Sequence, residues 1–338
     1  MTAALDAEAV FIGIDVGGTK IAAGAVRAAS GQVGLRREIR TPAADDADAI
    51  GEAIAWIAGD VTAAAGASGD HLVAIGVGLP ELVTADGEIG TAYLCDWRRA
   101  GIGHRLGSIA PVLATSDVRA AALAEARFGA GQDLPLFAYV SIGTGIGSTI
   151  VVNGQPVVGA HGGAVVFASG ALAVPCGQPG EWTDFALETY SSGAAIAQRY
   201  LRATGNVVDG AREVIAAADR GDMVAAEIVE SAARALGSGI AWLVNLLDPH
   251  AIVFGGGLGL APGRFRTQLV TSARQSIWNP QARDVAMLPG RLGADAGIVG
   301  AAAIARESMQ IMPRARDAAS ATAHRRKEVV RSGALHGA

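Results

Sequence analysis

Apolar runs separated by turn residues divide the first part of the chain into alternating strands and helices. The short run Phe11-Ile12 and the run over residues 21–26 flank Gly17-Gly18, which predicts a tight β-hairpin. A helical period follows over residues 48–65, and an apolar strand over residues 72–78. This succession of strand, helix and strand predicts an α/β fold.

The second part of the chain repeats this pattern. Its predicted elements are an alanine-rich helix over residues 118–128, strands over 136–142 and 149–152, a turn at Asn153-Gly154, a long helix over 223–247 and a buried strand over 251–254. Two of these strands flank the turn Gly143-Thr144-Gly145-Ile146-Gly147 and so restate the opening hairpin. One hairpin in each half predicts a duplicated α/β core with a cleft between the halves.

We expect two domains and a tail. Residues 1–117 form an N-terminal α/β domain, completed by a C-terminal helix over about 296–312, and residues 118–295 form the second domain. Residues 313–338 carry six basic and two acidic side chains, which predicts a disordered, solvated segment. A weak electrostatic patch for an anionic partner is the alternative for this segment.

Composition narrows the class of partner. Hydrophobic residues make up 51% of the 338 residues, enough for a sizeable core, and the formal net charge is −5. A negative chain has no general attraction for polyanions, so we expect a small-molecule substrate and no nucleic-acid partner. Cys95 and Cys176 are the only cysteines and lack CxxC spacing, which argues against a disulfide framework or a cysteine-rich zinc site and predicts a cytoplasmic location.

Two segments bear on membranes and secretion. Residues 134–180 contain no Asp, Glu, Lys or Arg, but glycines, prolines and Asn153 interrupt the apolar runs too often for a spanning helix. Residues 1–10 include Asp6 and Glu8 and lack the basic and apolar regions of a secretory signal. We therefore expect no membrane partner.

The first hairpin has the chemistry of a phosphate-binding loop. Gly17 and Gly18 let backbone N–H groups approach an anion without interference from a Cβ. Asp15 is placed to reach a metal ion held against the phosphates, and Thr19 and Lys20 supply a hydroxyl and a positive charge. The arrangement suits phosphoryl transfer, whereas an ordinary hairpin with a Gly-Gly turn is the alternative.

A third glycine cluster, Gly255-Gly256-Gly257, follows a buried strand and precedes a predicted helix. Such a cluster can hold the adenosine and α-phosphate end of a nucleotide. A plain strand-to-helix turn is the alternative reading of the same residues.

Together with other motifs, these three loops resemble the ROK family, which includes bacterial glucokinases, fructokinases, N-acetylmannosamine kinases and sugar-responsive repressors. The other motifs are Gly76-Val77-Gly78-Leu79-Pro80, Asp117 before an alanine-rich helix, Leu187-Glu188-Thr189-Tyr190-Ser191-Ser192-Gly193 and Leu247-Asp248-Pro249. The resemblance implies the actin/hexokinase-like ATPase fold, an α/β fold of two duplicated RNase H-like domains with an interdomain cleft. It also implies ATP and Mg²⁺ as cofactors and a homodimer.

The resemblance assigns roles on the phosphate side. Asp117 would be the general base that accepts a proton from the attacking hydroxyl, although it also stands where the N-cap of the following helix would lie. Asp15 would hold Mg²⁺, directly or through water, while Thr19, Thr144 and glycine amides would neutralise charge on the phosphoryl group. The predicted nucleotide-binding residues are Asp15, Gly17, Gly18, Thr19, Lys20, Gly143, Thr144, Gly145, Gly147, Gly255, Gly256 and Gly257.

The acceptor side departs from the family pattern. Family members typically carry Ala-Gly-Glu-Ile-Gly-His after the second hairpin, where the Glu and His hold sugar hydroxyls and the His also ligates zinc; this chain has Ala164-Val165-Val166-Phe167-Ala168-Ser169. The zinc cysteines of the family reduce here to Cys176, which predicts that no zinc site is present. The predicted acceptor-side residues are Glu188, Gly78, Pro80, Ser116, Glu81, Asp96 and His161, with Tyr93 beside them.

Three functions are consistent with nucleotide-binding motifs that match the family pattern and acceptor-side motifs that differ from it. The first is an ATP-dependent kinase that phosphorylates a primary hydroxyl of a sugar-like polyol, specifically a C7-cyclitol of the valiolone or valienol type, an acceptor class of ROK enzymes in aminocyclitol antibiotic pathways. The second is a hexose kinase such as a glucokinase. The third is a catalytically weak pseudokinase or sugar sensor, disfavoured because Asp15, Asp117 and both phosphate loops are retained. Only twelve residues precede Gly13, so we expect no winged-helix domain of the kind that family repressors carry.

Overall fold

Two five-stranded mixed sheets lie at the centre of the fold. The structure is a computed structural model that describes residues 9–27, 29–175 and 182–309. The strands are β1 Ala9–Val16, β2 Lys20–Arg27, β3 Val33–Arg40, β4 His71–Leu79, β5 Val112–Ser116, β6 Leu136–Ile142, β7 Ile146–Val152, β8 Gln155–Pro156, β9 Leu172–Pro175, β10 Trp182–Phe185, β11 Ala251–Gly255 and β12 Ala286–Pro289. The helices are α1 Ala47–Ala67, α2 Trp97–Ala100, α3 Ile102–Gly107, α4 Asp117–Phe128, α5 Leu187–Ser191, α6 Gly193–Thr204, α7 Ala211–Asp219, α8 Met223–Leu247, α9 Gly256–Leu260, α10 Arg264–Ser276 and α11 over residues 296–309. Short 3₁₀ turns lie at Pro280–Ala282 and Gly293–Asp295.

The two sheets have the same strand order and the same strand directions. The first sheet is ordered β3-β2-β1-β4-β5, with β1, β2 and β3 antiparallel and β1, β4 and β5 parallel. The second is ordered β8-β7-β6-β11-β12, with β6, β7 and β8 antiparallel and β6, β11 and β12 parallel. This equivalence is what a duplicated core predicts. Strands β9 and β10 pair separately as a short ribbon.

Amphipathic helices cover the sheets. Helix α1 begins after Asp46, whose carboxylate accepts a hydrogen bond from the Ala49 N–H at 3.0 Å. Its apolar residues Ile50, Ile54 and Ile57 recur at helical spacing and are fully buried against the first sheet. Helices α8 and α10 make the corresponding layer in the second half, where they pack against each other and form much of the largest core cluster.

The last described helix, α11, returns to the first half of the molecule. Its Ile298, Ala302 and Ala305 are buried with Phe11 and other residues of the first sheet. Glycines at 13 and 76 permit this approach, because a Cβ at either position would overlap a backbone carbonyl of α11. The helix that the sequence predicts from residue 296 is therefore present and packs on the first sheet.

Several elements differ from the sequence prediction. The third glycine cluster does not precede a helix, because Gly256 and Gly257 form the first turn of α9 itself. Strand β7 begins at Ile146, three residues before the predicted start, since it continues the hairpin directly from the glycine turn. Strand β3 lies where the sequence predicts a strand between the first hairpin and the first helix, and its alternation of exposed and half-buried residues is typical of an edge strand. Cys176 and residues 313–338 lie outside the described residues.

Among the residues that the structure describes, none of the helices combines the length and the apolar character needed to cross a bilayer.

Candidate active site

Two carboxylates meet at the carboxyl ends of parallel strands in the first sheet. Asp15 lies near the end of β1 and pairs with Gly78 of β4, while Asp117 is the first residue of α4, directly after β5. A Cβ at Gly78 would lie 3.4 Å from the Asp117 Cα, so the glycine lets α4 start close to β4. The N-cap of α4 is Ser116 rather than Asp117, which corrects the capping alternative. The Asp117 carboxylate accepts from the Val118 N–H at 2.6 Å and from the Ser116 hydroxyl at 3.4 Å.

The turn of the first hairpin is fixed from outside. The Gly17 N–H donates to the Lys20 carbonyl at 2.9 Å, which closes the turn. Thr41, just after β3, donates its hydroxyl to the Gly17 carbonyl at 2.7 Å and its N–H to the Thr19 carbonyl at 3.1 Å. These bonds occupy the carbonyls of Gly17, Thr19 and Lys20 and involve neither the Gly18 nor the Thr19 N–H group.

The turn of the second hairpin is held in the same manner. The Gly143 N–H donates to the Gly145 carbonyl at 2.9 Å, and the N–H groups of Gly193 and Ala194 donate to the Gly143 and Thr144 carbonyls at 2.8 and 3.2 Å. Gly193 and Ala194 form the first turn of α6, so this helix fixes the hairpin.

Glu188 also supports the second turn. Its carboxylate accepts from the Ile146 N–H at 2.7 Å and lies 2.9 Å from a Cβ placed at Gly145. The structure therefore places Glu188 against the phosphate hairpin; its contact with the acceptor stays a prediction.

Both turns have the features that a phosphate requires. Within the described residues, the backbone N–H groups of Gly18, Thr19, Thr144 and Gly145 donate to no protein acceptor. A Cβ at Gly18 or Gly143 would meet no atom within 4 Å, so the space above the turns is open. Unpaired N–H groups around open space fit phosphate oxygens.

Contact between the second hairpin and α4 brings the turns to the carboxylates. A Cβ at Gly147 would lie 3.3 Å from the side chain of Val118, which follows Asp117. The start of α4 therefore lies between Asp15 on one side and the second glycine turn on the other. Asp15 carries no hydrogen bond within the described chain, so its oxygens are available to a hard cation such as Mg²⁺.

The third glycine cluster packs tightly against the second sheet. Gly256 has a φ of +72°, and a Cβ there would lie 2.5 Å from the Ile142 carbonyl oxygen. Beside it, the guanidinium of Arg212 lies 3.1 Å from a Cβ placed at Gly257. Arg212 is exposed and forms no ion pair within the described residues. A cation therefore faces the loop that is predicted to hold the nucleoside end of ATP.

A chain of ion pairs borders the first hairpin. The Lys20 ammonium lies 3.1 Å from Glu38, and the Arg36 guanidinium lies 2.7 Å from Glu38 and 2.8 Å from Asp295. These groups are partly exposed, so each pair contributes little to the free energy of folding. Their effect on the site is electrostatic, because Lys20 and Arg36 both lower the pKa of Asp15.

Burial opposes that effect and dominates at both carboxylates. Desolvation by surrounding protein raises the pKa of Asp15 to about 6 and the pKa of Asp117 to about 7, from an ordinary value of 3.8. The nearby Asp15 adds to the rise at Asp117, because two negative charges in one site disfavour each other. A carboxylate with a pKa near neutrality is well suited to take a proton from an alcohol.

These raised pKa values predict a pH-dependent stability. The folded protein binds more protons than the unfolded chain between pH 3.8 and about 7, so the free energy of unfolding should fall as pH rises through this window. Asp117→Asn, which cannot ionise, should lose less stability than the wild type between about pH 5 and about pH 8. Urea unfolding of both proteins without nucleotide measures the difference. Equal losses in the two proteins would contradict the raised pKa of Asp117.

The loop after β4, residues 80–96, is organised around Glu81. Glu81 is 3% exposed, and its carboxylate accepts from the Thr91 hydroxyl at 2.6 Å and from the N–H groups of Tyr93 and Leu94 at 2.9 and 2.8 Å. Asp96 is exposed and caps α2 by accepting from the Arg98 N–H at 3.0 Å. Both carboxylates thus accept hydrogen bonds from their own chain, and their contact with the acceptor stays a prediction.

The loop after β8, residues 157–171, forms the opposite wall. His161 and Ser169 are exposed, Val166 is 41% exposed, and Ala168 is buried. The Ser148 hydroxyl donates to the Val165 carbonyl, and the Glu188 N–H donates to the Ala168 carbonyl at 3.0 Å. Val166 is an apolar, exposed side chain at the sequence position where the family pattern described above has a glutamate.

Three arginines near the site are missed by the sequence analysis: Arg36, Arg119 and Arg212. Arg119 and Arg212 lie far along the chain from the groups that they contact, while Arg36 contacts the distant Asp295 as well as Glu38, two residues away. Arg119 nevertheless follows Asp117 by two residues, within a motif that differs from the ROK family pattern described above. That difference is a signal that sequence reasoning could have used.

Comparison with known proteins agrees with this geometry. A family model described as the ROK family matches residues 11–308. Glucokinase of Streptomyces coelicolor is 32% identical over 330 residues, which covers 89% of this chain and 99% of that protein. The bifunctional enzyme NanE/NanK of Brucella melitensis is 33% identical over 304 residues, covering 87% of this chain and 53% of that protein.

A solved structure shows the same fold. The ROK family glucokinase from Streptomyces griseus, in complex with glucose and AMPPNP, superposes with a TM-score of 0.74 at 31% identity, covering 88% of this chain and 99% of that one. The expected actin/hexokinase-like ATPase fold is confirmed. On the match across residues 11–308 and these similarities, the chain belongs to the ROK family.

Proposed function

We propose that this chain is an ATP-dependent sugar kinase of the ROK type that phosphorylates a primary hydroxyl of a sugar-like polyol. The observation that carries the proposal is the convergence of Asp15 and Asp117 between two glycine turns with unpaired N–H groups. ATP is supported by the related glucokinase structure, which holds AMPPNP. Bound Mg²⁺ would neutralise phosphate charge beside Asp15.

In the proposed reaction Asp117 is the general base. The acceptor oxygen forms a bond to the γ-phosphorus of ATP while the bond to the β,γ-bridging oxygen breaks and ADP leaves. The hydroxyl proton passes to the Asp117 carboxylate, whose pKa of about 7 lets it act near neutral pH. N–H groups of the two turns, from Gly18 and Thr19 and from Thr144 and Gly145, would hold the phosphate oxygens and stabilise charge on the phosphoryl group.

For the acceptor we propose a C7-cyclitol of the valiolone or valienol type rather than glucose. The β8 loop offers Val166 and Ser169 where a sugar-binding glutamate and histidine are typical of the family. The Glu81 carboxylate accepts three hydrogen bonds within the β4 loop, which leaves it little capacity for an acceptor hydroxyl. An acceptor with fewer hydroxyls on this side fits such a wall better than a hexopyranose, because each unpaired buried polar group costs about 1–3 kcal/mol.

A hexose kinase is the second candidate. It is favoured by the 32% identity to Streptomyces coelicolor glucokinase over nearly the whole chain and by the Streptomyces griseus structure, which contains glucose. Both candidates share the nucleotide side and differ only in the acceptor.

We further propose that the protein uses Mg²⁺ and binds no zinc. We also propose that it is a cytoplasmic homodimer and has no nucleic-acid partner. The proposal that zinc is absent is supported by the small number of cysteines, two in the whole chain, and by Ser169 at the position of the family's zinc-binding histidine. The domain division at residues 117 and 295 is supported by the two equivalent sheets and by α11 packing on the first.

A panel of acceptors tests the proposal. ADP production from ATP and Mg²⁺ should be measured with valiolone, valienol, inositols, fructose, N-acetylmannosamine and glucose. We expect kcat/KM for a C7-cyclitol to exceed that for glucose by at least about tenfold, which corresponds to about 1.4 kcal/mol. Efficient turnover of glucose would overturn the cyclitol proposal and establish the hexose kinase. Binding of ATP with no turnover of any polyol would overturn both kinases in favour of a sensor.

A further inference from the structure

Arg119 is a buried cation in the wall between the two loops of the acceptor side. It is 5% exposed and lies in the first turn of α4, two residues after Asp117. No carboxylate within the described residues forms an ion pair with it. Burying a guanidinium costs free energy, so its place here requires strong hydrogen bonds.

Two backbone carbonyls supply these bonds, one from each loop. The Nη1 group donates to the Gly162 carbonyl at 3.0 Å, and the Nη2 group donates to the Val83 carbonyl. Val83 belongs to the β4 loop of the first half, and Gly162 belongs to the β8 loop of the second. The rigid fork of one guanidinium therefore sets the position of both loops relative to α4.

Direct contact between the loops reinforces this arrangement. Gly162 has a φ of +77°, and a Cβ there would overlap the Val83 carbonyl oxygen. Val83 is fully buried and pairs with Ile89 within its own loop. The two loops are thus in backbone contact at the point where Arg119 binds both.

The helix that carries Asp117 is held independently. A Cβ at Gly300 of α11 would overlap the Ala120 carbonyl of α4. At the other end of α4, the buried Glu125 carboxylate accepts from the N–H groups of Ala130 and Arg291 at 2.7 and 3.0 Å. Loss of the Arg119 bonds should therefore release the loops more than it moves α4.

We propose that Arg119 is a positioning residue that sets acceptor affinity by joining the β4 and β8 loops across the cleft. The inference deepens the proposed kinase function and rests on it. Each loop carries residues predicted to face the acceptor, so separation of the loops weakens acceptor binding. The glycine turns that are predicted to hold ATP are fixed by Thr41 and α6 instead, and nucleotide binding does not depend on Arg119.

Two variants test this role by different means. Arg119→Met removes both hydrogen bonds, and Gly162→Ala keeps the guanidinium but forces the loops apart. Both should raise KM for the best acceptor by about tenfold or more, with KM for ATP unchanged. Arg105→Met is the matched control, because the Arg105 guanidinium donates to the Ala100 carbonyl of α2 and pairs with Asp48 and Glu52 of α1, and none of these groups belongs to either loop.

Amide hydrogen exchange supplies a measurement that needs no turnover. In Arg119→Met, residues 80–96 and 157–171 should exchange faster than in the wild type, while β6 and α8 stay unchanged. An unchanged acceptor KM, or equal rises in KM for acceptor and ATP, would overturn the positioning role. Unchanged exchange in both loops would do so as well. If the wild type phosphorylates no acceptor, the kinase proposal fails by itself, and the exchange result still decides whether Arg119 joins the loops.

Discussion

Asp117→Asn should lower kcat for the best acceptor by about 10²–10⁴-fold, the usual contribution of a general base, while the affinity for ATP stays near that of the wild type. The amide is similar in size to the carboxylate and keeps the contact with the Val118 N–H, but it cannot accept the proton of the attacking hydroxyl. A coupled assay gives kcat, and calorimetric titration with a non-hydrolysable ATP analogue gives the nucleotide affinity.

Asp60→Asn serves as the control for this experiment. Asp60 lies in α1 and pairs at 2.7 Å with the half-buried Arg37 of β3, and neither residue belongs to a glycine turn. Its variant should retain wild-type kcat. If Asp117→Asn kept kcat within tenfold of the wild type, Asp117 would not be the base, and another group in the cleft would have to accept the proton.

Gly300→Ala should lower the free energy of unfolding by roughly 3 kcal/mol or more. The added Cβ would overlap the Ala120 carbonyl, and neither backbone can rotate away as a side chain could. The helices α4 and α11 would therefore have to move apart, which also disturbs the contact of Gly297 with the Asp15 carboxylate. Urea unfolding monitored by fluorescence and circular dichroism gives the free energy.

The matched control is Gly59→Ala in α1. A Cβ there would meet no atom within 4 Å, so the substitution should raise the free energy of unfolding by up to about 1 kcal/mol through helix propensity. Opposite signs for the two glycines would establish that helix contact, not helix propensity, makes Gly300 necessary. A neutral Gly300→Ala would contradict the close approach of α4 and α11.

The phosphate side could be predicted from sequence because its chemistry is local. In each hairpin the two strands, the glycine turn and a hydroxyl residue lie within a few positions of one another along the chain. Asp117 lies at a strand-to-helix junction. Local patterns of this kind survive folding unchanged. The duplication was visible for the same reason, since the second hairpin restates the first. The roles of these residues in catalysis remain predictions.

The acceptor side was less predictable because its geometry comes from distant contacts. The sequence gives no sign that the Glu81 carboxylate accepts hydrogen bonds from Thr91 and from the N–H groups of Tyr93 and Leu94, ten to thirteen residues away. The capping role of Asp96 was detectable, since an aspartate just before a short helix is a standard N-cap signal. No local pattern could have placed Arg36 beside Asp295 or Arg212 beside Gly257.

The position of α11 has a consequence for synthesis of the protein. The face of the first sheet that holds Phe11, Ala22 and Val26 is buried with Ile298, Ala302 and Ala305 of α11. The largest core of the second half draws its residues from a continuous stretch, from Ala138 to Met287. During translation the second half can therefore complete its core first. Strands β1 and β2 are synthesised first, but α11, which packs on their apolar face, is available only when nearly all of the described chain has left the ribosome.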